Sequence, residues 1–229
     1  ATINAAVAKA SATDTIYVAE GTYTGTDVTV VTIKKSITLS GGWNNNFTEQ
    51  AGYSTVDGQN ARRGMDISGP YMVSLNHFEV KNGKGSGISS YQGILTIEHS
   101  YFHDNNYDGG YGGGIRSSSG KLNISRSTFY NNSARSGGGV YVSGYNSYEA
   151  VLNYVTISGN HADYGGGIYV NDPGVFTVKN SIVANNTAAT EGPDCKTTAQ
   201  MPSISGGNNI VGTTCGTQQP TDLFNVDPG

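Results

Sequence analysis

At 229 residues the chain is long enough for one sizeable core, and its 33 glycines and 13% charged residues are unlike the Leu-, Glu- and Lys-rich composition of a helical protein. The net charge of −4, with no basic stripe, gives nucleic-acid binding no support, and no run of about 20 apolar residues is present to span a membrane. Ile3, Ala6, Val7 and Ala10 fall at helical spacing, which predicts a short capping helix within residues 1–13. Strand structure is expected from Asp14 to Val18 and from Val28 to Leu39, with a break at Lys34-Lys35-Ser36. Gly41-Gly42-Trp43 and the polar residues after it read as a loop leaving the first coils.

From Gly87 onward the chain repeats itself. Ile88, Ile115, Val140 and Ile168 follow Gly or Gly-Gly-Gly. A second series in phase with them is Leu95-x-Ile97, Leu122-x-Ile124, Ala150-x-Leu152 and Phe176-x-Val178. A third is Phe102, Phe129, Ile157 and Val183, each followed three residues later by Asn105, Asn132, Asn160 or Asn186. Period-two alternation within short segments marks strands with one buried face. One such repeat cannot bury its own apolar face, whereas stacked copies can. The fold expected is all-β: a right-handed, single-stranded parallel β-helix with three short strands per coil, a short N-terminal capping helix and an irregular C-terminal cap. One domain, 1–229, divides into an N-terminal cap (1–13), coils (14–186) and a C-terminal cap (187–229). The asparagine series suits a buried structural ladder, since Asn tolerates left-handed turns and stacked amides bond to one another.

The repeats resemble known surface proteins. Phe102-His103-Asp104-Asn105 and Phe129-Tyr130-Asn131-Asn132, with the Gly runs, resemble the repeats of polymorphic outer-membrane proteins. Asp14–Tyr23, Ile37–Trp43, Asn180–Ala188 and Gly192-Pro193-Asp194-Cys195 followed by Asn208–Gly212 resemble bacterial extracellular proteins of the choice-of-anchor Q type. The resemblance implies a parallel β-helix exported by a bacterium to the cell surface or medium. It names no activity.

Few residues stand out as a site. Acids such as Asp66, Glu79, Glu98, Asp104 and Asp163 do not repeat in phase, so the clustered carboxylates of a polysaccharide lyase or hydrolase are not evident. Asp104, Asn106 and Asp108 place oxygen ligands at alternate positions before Gly109, as in half of a calcium loop, but Ile115 stands where the closing glutamate belongs. An Asx-rich turn is preferred, and no cofactor is otherwise implied. Tyr141 and Tyr169, with Arg116 one coil earlier, are expected to point outward, either to stack on sugars or a partner or to stack on one another. Six further tyrosines, Tyr148 among them, read as aromatic turns. Cys195 and Cys215 form one bridge in an oxidising compartment or two thiols in a reducing one. The function expected is a non-catalytic structural or adhesive solenoid whose partners are itself, other surface proteins or glycans. A polysaccharide-cleaving enzyme and a carbohydrate-binding module are the alternatives.

Overall fold

The computed structural model describes residues 2–144, 148–171, 174–198, 203–212 and 219–224. The chain winds into a solenoid of three parallel sheets, with 12, nine and four strands. Ile88–Glu98 and Ile115–Ser125 each run as one 11-residue strand of the first sheet and carry two of the three apolar series. Tyr101–His103, Thr128–Tyr130 and Thr156–Ser158 lie in the second sheet and carry the third. The third sheet holds Asn106–Tyr111, Ser133–Ser136, His161–Tyr164 and Thr187–Glu191, a stretch that the apolar series did not mark as strand.

Register stacks like on like. Met65, Ile88, Ile115, Val140, Ile168 and Cys195 form one inward column. Val56, Val80, Phe102, Phe129, Ile157, Val183, Val211 and Phe224 form another. The rings of Phe102 and Phe129 stack with centroids 4.8 Å apart and planes at 6°, the spacing of neighbouring strands. Most of these residues are fully buried. Beyond residue 186, Cys195–Thr197, Ser203–Ser205, Ile210–Val211 and Leu223–Phe224 still pair onto the stack.

The corners are single left-handed residues. His77, His99, Arg126, Tyr154, Asn180 and Asn208 turn the chain from the first sheet to the second, all with φ between 44° and 58°. Asp104, Asn131 and Asn185, with φ of 54°, 52° and 59°, turn it toward the third. At the return corner the coils approach so closely that a Cβ on Gly138 would lie 2.4 Å from the carbonyl oxygens of Gly166 and His161.

Inside the second corner runs a ladder of buried amides. Oδ1 of Asn132 accepts from the main-chain N–H (3.2 Å) and Nδ2 (2.9 Å) of Asn105. Asn160 serves Asn132 in the same way, and Asn186 serves Asn160. Each Nδ2 also donates to a main-chain carbonyl, as from Asn132 to Phe102. The ladder starts on the N–H of Gly83 and stops at Asp194, whose Oδ1 accepts both donors of Asn186. A carboxylate accepts without donating, so no further rung is needed. A second ladder flanks the first corner. Ser100 Oγ accepts from Phe78 N–H, Ser127 Oγ from Ser100 N–H, and Ser181 Oγ from Val155 N–H. It continues through Asn209 and likewise ends on a carboxylate, Asp222. Burial alone would raise the Asp222 carboxyl, but hydrogen bonds from Ser205, Gln219 and Asn209 hold it below the usual carboxylate range.

At the N-terminal end the helix Ile3–Lys9 closes the core with Ile3 and Val7. Asn4 acts as a substitute strand: its Nδ2 donates to Val30 O and its Oδ1 accepts from Thr32 N–H, both at 2.9 Å. Two polar groups of an edge strand are thereby satisfied.

The tyrosine-turn expectation fails: Tyr91, Tyr107, Tyr111 and Tyr164 lie on strands, Tyr145 lies outside the described residues, and Tyr148 is buried in the core. Five residues, 144–148, separate Ser143 from Glu149, where the paired coil has only Ser119 and Gly120 between Ser118 and Lys121. Tyr148 lies beside the small side chain of Ser117. Burial raises its phenol far above the ordinary value.

Asn132→Ala would leave donors of Asn105 and the carbonyl of Phe102 without partners in the interior. It is expected to cost about 3 kcal/mol in urea unfolding. The exposed Asn123→Ala should stay within about 0.5 kcal/mol, and equal losses for the two would show that the ladder contributes nothing special.

Candidate functional site

A polar cluster linking four coils lies on the outer surface of the second sheet. Val80 and Phe102 pair and point inward, so their neighbours Glu79, Lys81, Tyr101 and His103 point out. His103 Nε2 lies 2.9 Å from Glu79 Oε1, and its Nδ1 lies 2.7 Å from Asp104 Oδ2. Thr55 Oγ1 donates to Glu79 Oε2, Lys81 Nζ stands 3.4 Å from that oxygen, and Asn131 Nδ2 donates to Asp104 Oδ1. The Tyr101 ring stacks on His103 at 4.6 Å. An imidazole held between two carboxylates satisfies both only by donating from each nitrogen.

The electrostatics favour charge on both acids. Burial by itself pushes Glu79 up, but hydrogen bonds from Thr55 and His103 and the charge of Lys81 bring it below the usual range. Asp104 follows the same pattern, with His103 and Asn131 as donors. A general acid for glycoside cleavage needs a raised carboxyl. Here both are lowered, and both imidazole nitrogens are engaged. The cluster stitches the coils of Thr55, Glu79, His103 and Asn131 together.

The chain matches the family described as right handed beta helix region over residues 15–214. This protein belongs to that family. The comparisons with curated proteins and with solved structures returned no match. Membership of the β-helix family accounts for the solenoid and leaves the chemistry to particular residues.

The tyrosine row of this β-helix is built as a stack. Arg116, Tyr141 and Tyr169 are paired in register on the first sheet. Tyr111 leans over from the third sheet, so Tyr141 has Tyr111 at 4.8 Å on one side and Tyr169 at 5.6 Å on the other. Tyr141 is only 5% exposed, and Arg116 sits 5.9 Å over the Tyr111 ring. A sugar stacks on an open ring face, and the faces of Tyr141 are taken. Burial, with Tyr141 beside it, raises the phenol of Tyr169.

Asp104 is committed to His103 and Asn131, while Asn106 and Asp108 lie on the first strand of the third sheet. Among the described residues no group of three or more His, Cys, Asp or Glu side chains is arranged to hold a metal ion. Cys195 is buried in the inward column after Ile168, and its expected partner Cys215 lies outside the described residues. The Glu79–His103 pair escaped sequence reading because the repeat is degenerate before Gly87. Placing Val80 in the Phe102 column would have revealed it.

The carboxylates of Glu79 and Asp104 sit lower in the folded state than in the open chain. Their contribution is therefore present above the unfolded carboxylate range and lost as pH falls through the folded values. Glu79→Gln should melt lower than the parent at about pH 6, with the gap closing toward about pH 3. A gap that stays constant in thermal melts across this window would remove the electrostatic role assigned to Glu79.

Proposed function

We propose that this β-helix is a non-catalytic structural and adhesive module outside the cell, either on the surface or as a subunit of an extracellular assembly. The observation that carries the reading is the state of Glu79, His103 and Asp104: the acids are held charged and bonded to neighbouring coils. A site built to move protons leaves one such group open to substrate, whereas here each is engaged by its neighbours. The resemblance of the Phe-x-x-Asn and Gly-run repeats to polymorphic outer-membrane and choice-of-anchor Q proteins supports a bacterial surface location. In that setting Cys195 and Cys215 form one bridge. Among the described residues Leu223–Phe224 ends the second sheet, and a strand edge of that kind suits association with a second copy.

The test is direct. The purified chain is incubated with polygalacturonate, alginate and xylan while reducing ends and unsaturated uronides are followed. No product above a heat-inactivated control is expected. Turnover on the ordinary scale of about 1–1,000 per second would sink the reading. Immunogold labelling of intact cells of the source should mark the surface or attached filaments; label confined to the cytoplasm would exclude the location.

A further inference from the structure

The corner between the first and second sheets carries a row of large side chains that neither ladder uses. Its left-handed residues run His77, His99, Arg126 and Tyr154 along the axis, each donating its main-chain N–H to the coil that follows. The imidazoles of His77 and His99 stack on one another, with centroids 5.1 Å apart and planes at 22°. Tyr53 stands on the other side of His77, at 6.3 Å. Arg126 takes the next place in the row, and its guanidinium lies 6.0 Å over the Tyr154 ring.

Register thus sets two groups that can gain a proton face to face, without an acid between them. His103 lies between two carboxylates, but among the described residues neither His77 nor His99 is paired with one. The nearest acceptor of His77 is Asn76 Oδ1, 3.4 Å from Nδ1, an oxygen that already accepts from Ser40 Oγ and Gln50 Nε2. Glu98, beside His99 in sequence, accepts from Ser125 Oγ on the next coil. Burial and the facing His99 push the His77 imidazole down, and Glu98 offsets them only in part. The backbone ties the same place to the preceding coil: the His77 carbonyl accepts from Ser54 N–H at 3.0 Å, and a Cβ on Gly41 would lie 2.5 Å from that oxygen.

We propose that the His77–His99 stack is an acid-sensitive latch, in which neutral rings hold the coils of Ser54, His77 and His99 together at this corner and protonation of both parts them. Two imidazolium rings at this distance repel, so the second proton goes on about half a pH unit lower even at the dielectric of water. Arg126 keeps a permanent positive charge in the same row. The His77 ring sits lower in the folded state than in the open chain, so its contribution is present above the open-chain histidine range and is lost as pH falls through the folded value. Glu79, Asp104 and Asp222 are held below the carboxylate range and stay charged through that window. Coils of a solenoid touch only their neighbours, so the opening stays at this corner while the rest of the stack holds.

NMR titration of the histidine rings tests the pair, and hydrogen exchange read by mass spectrometry tests the latch. In the parent, His77 should titrate below the open-chain value, and in His99→Gln its midpoint should rise by about half a unit. After correction for intrinsic rates, peptides holding Ser54, His77 and His99 should lose about tenfold in protection between about pH 7 and pH 5.5, and regain it on return. His99→Gln should keep most of that protection, whereas His99→Arg, with a fixed charge, should lack it already at about pH 7. A His77 midpoint indifferent to His99→Gln, protection unchanged across the window, or a loss spread equally over all coils would each overturn the proposal.

Discussion

Everything in this molecule depends on coils meeting in register at the spacing of parallel strands. Backbone hydrogen bonds set that spacing, and register then decides which side chains touch. Because neighbouring coils present equivalent positions, each residue meets its own kind: Phe102 on Phe129, Tyr141 on Tyr169, Asn132 on Asn160. Aromatic and aliphatic columns gain from this, since like shapes pack without voids. Amides gain because each is both donor and acceptor. A column of identical charges would repel, and the outer rows alternate or mix their signs accordingly.

The same constraint explains how the polar columns end. An amide ladder has a direction: each rung accepts from the coil before it and donates to the coil after it. The start can rest on a backbone N–H, as at Gly83. The end requires an acceptor that asks for nothing further. Asp194 and Asp222 meet that requirement in two separate columns, and each receives both donors of the preceding asparagine at 2.9–3.0 Å. Asn4 solves the corresponding problem at the N-terminal edge, where an amide imitates one residue of a strand.

Sequence periodicity exposes what register repeats and hides what it does not. The columns through Ile115, Leu122 and Phe129 and the asparagine series were visible because the same residue class returns in phase. Ser100, Ser127 and Ser181, two residues before members of the Phe102 column, were equally in phase, but serine is frequent in this chain and Val155 interrupts the series. The third sheet was obscured because its inward residues are small, as at Ala134 and Ala162, amid glycine and polar side chains. Tyr148 was misjudged because local spacing does not distinguish a turn tyrosine from one that packs into the core. Glu79 and His103 are 24 residues apart, and their contact exists only once Val80 is aligned with Phe102.

Function in such a fold must come from departures from the column rule. Where outer neighbours close on one another, as around His103, the surface is spent on holding coils together and has little left to offer a ligand. The change in coil length between Gly83 and Tyr111 is the clearest such departure among the well-formed coils. Where the rule stacks groups that can gain the same charge, it turns against itself: the column of His77 and His99 holds only while the rings stay neutral.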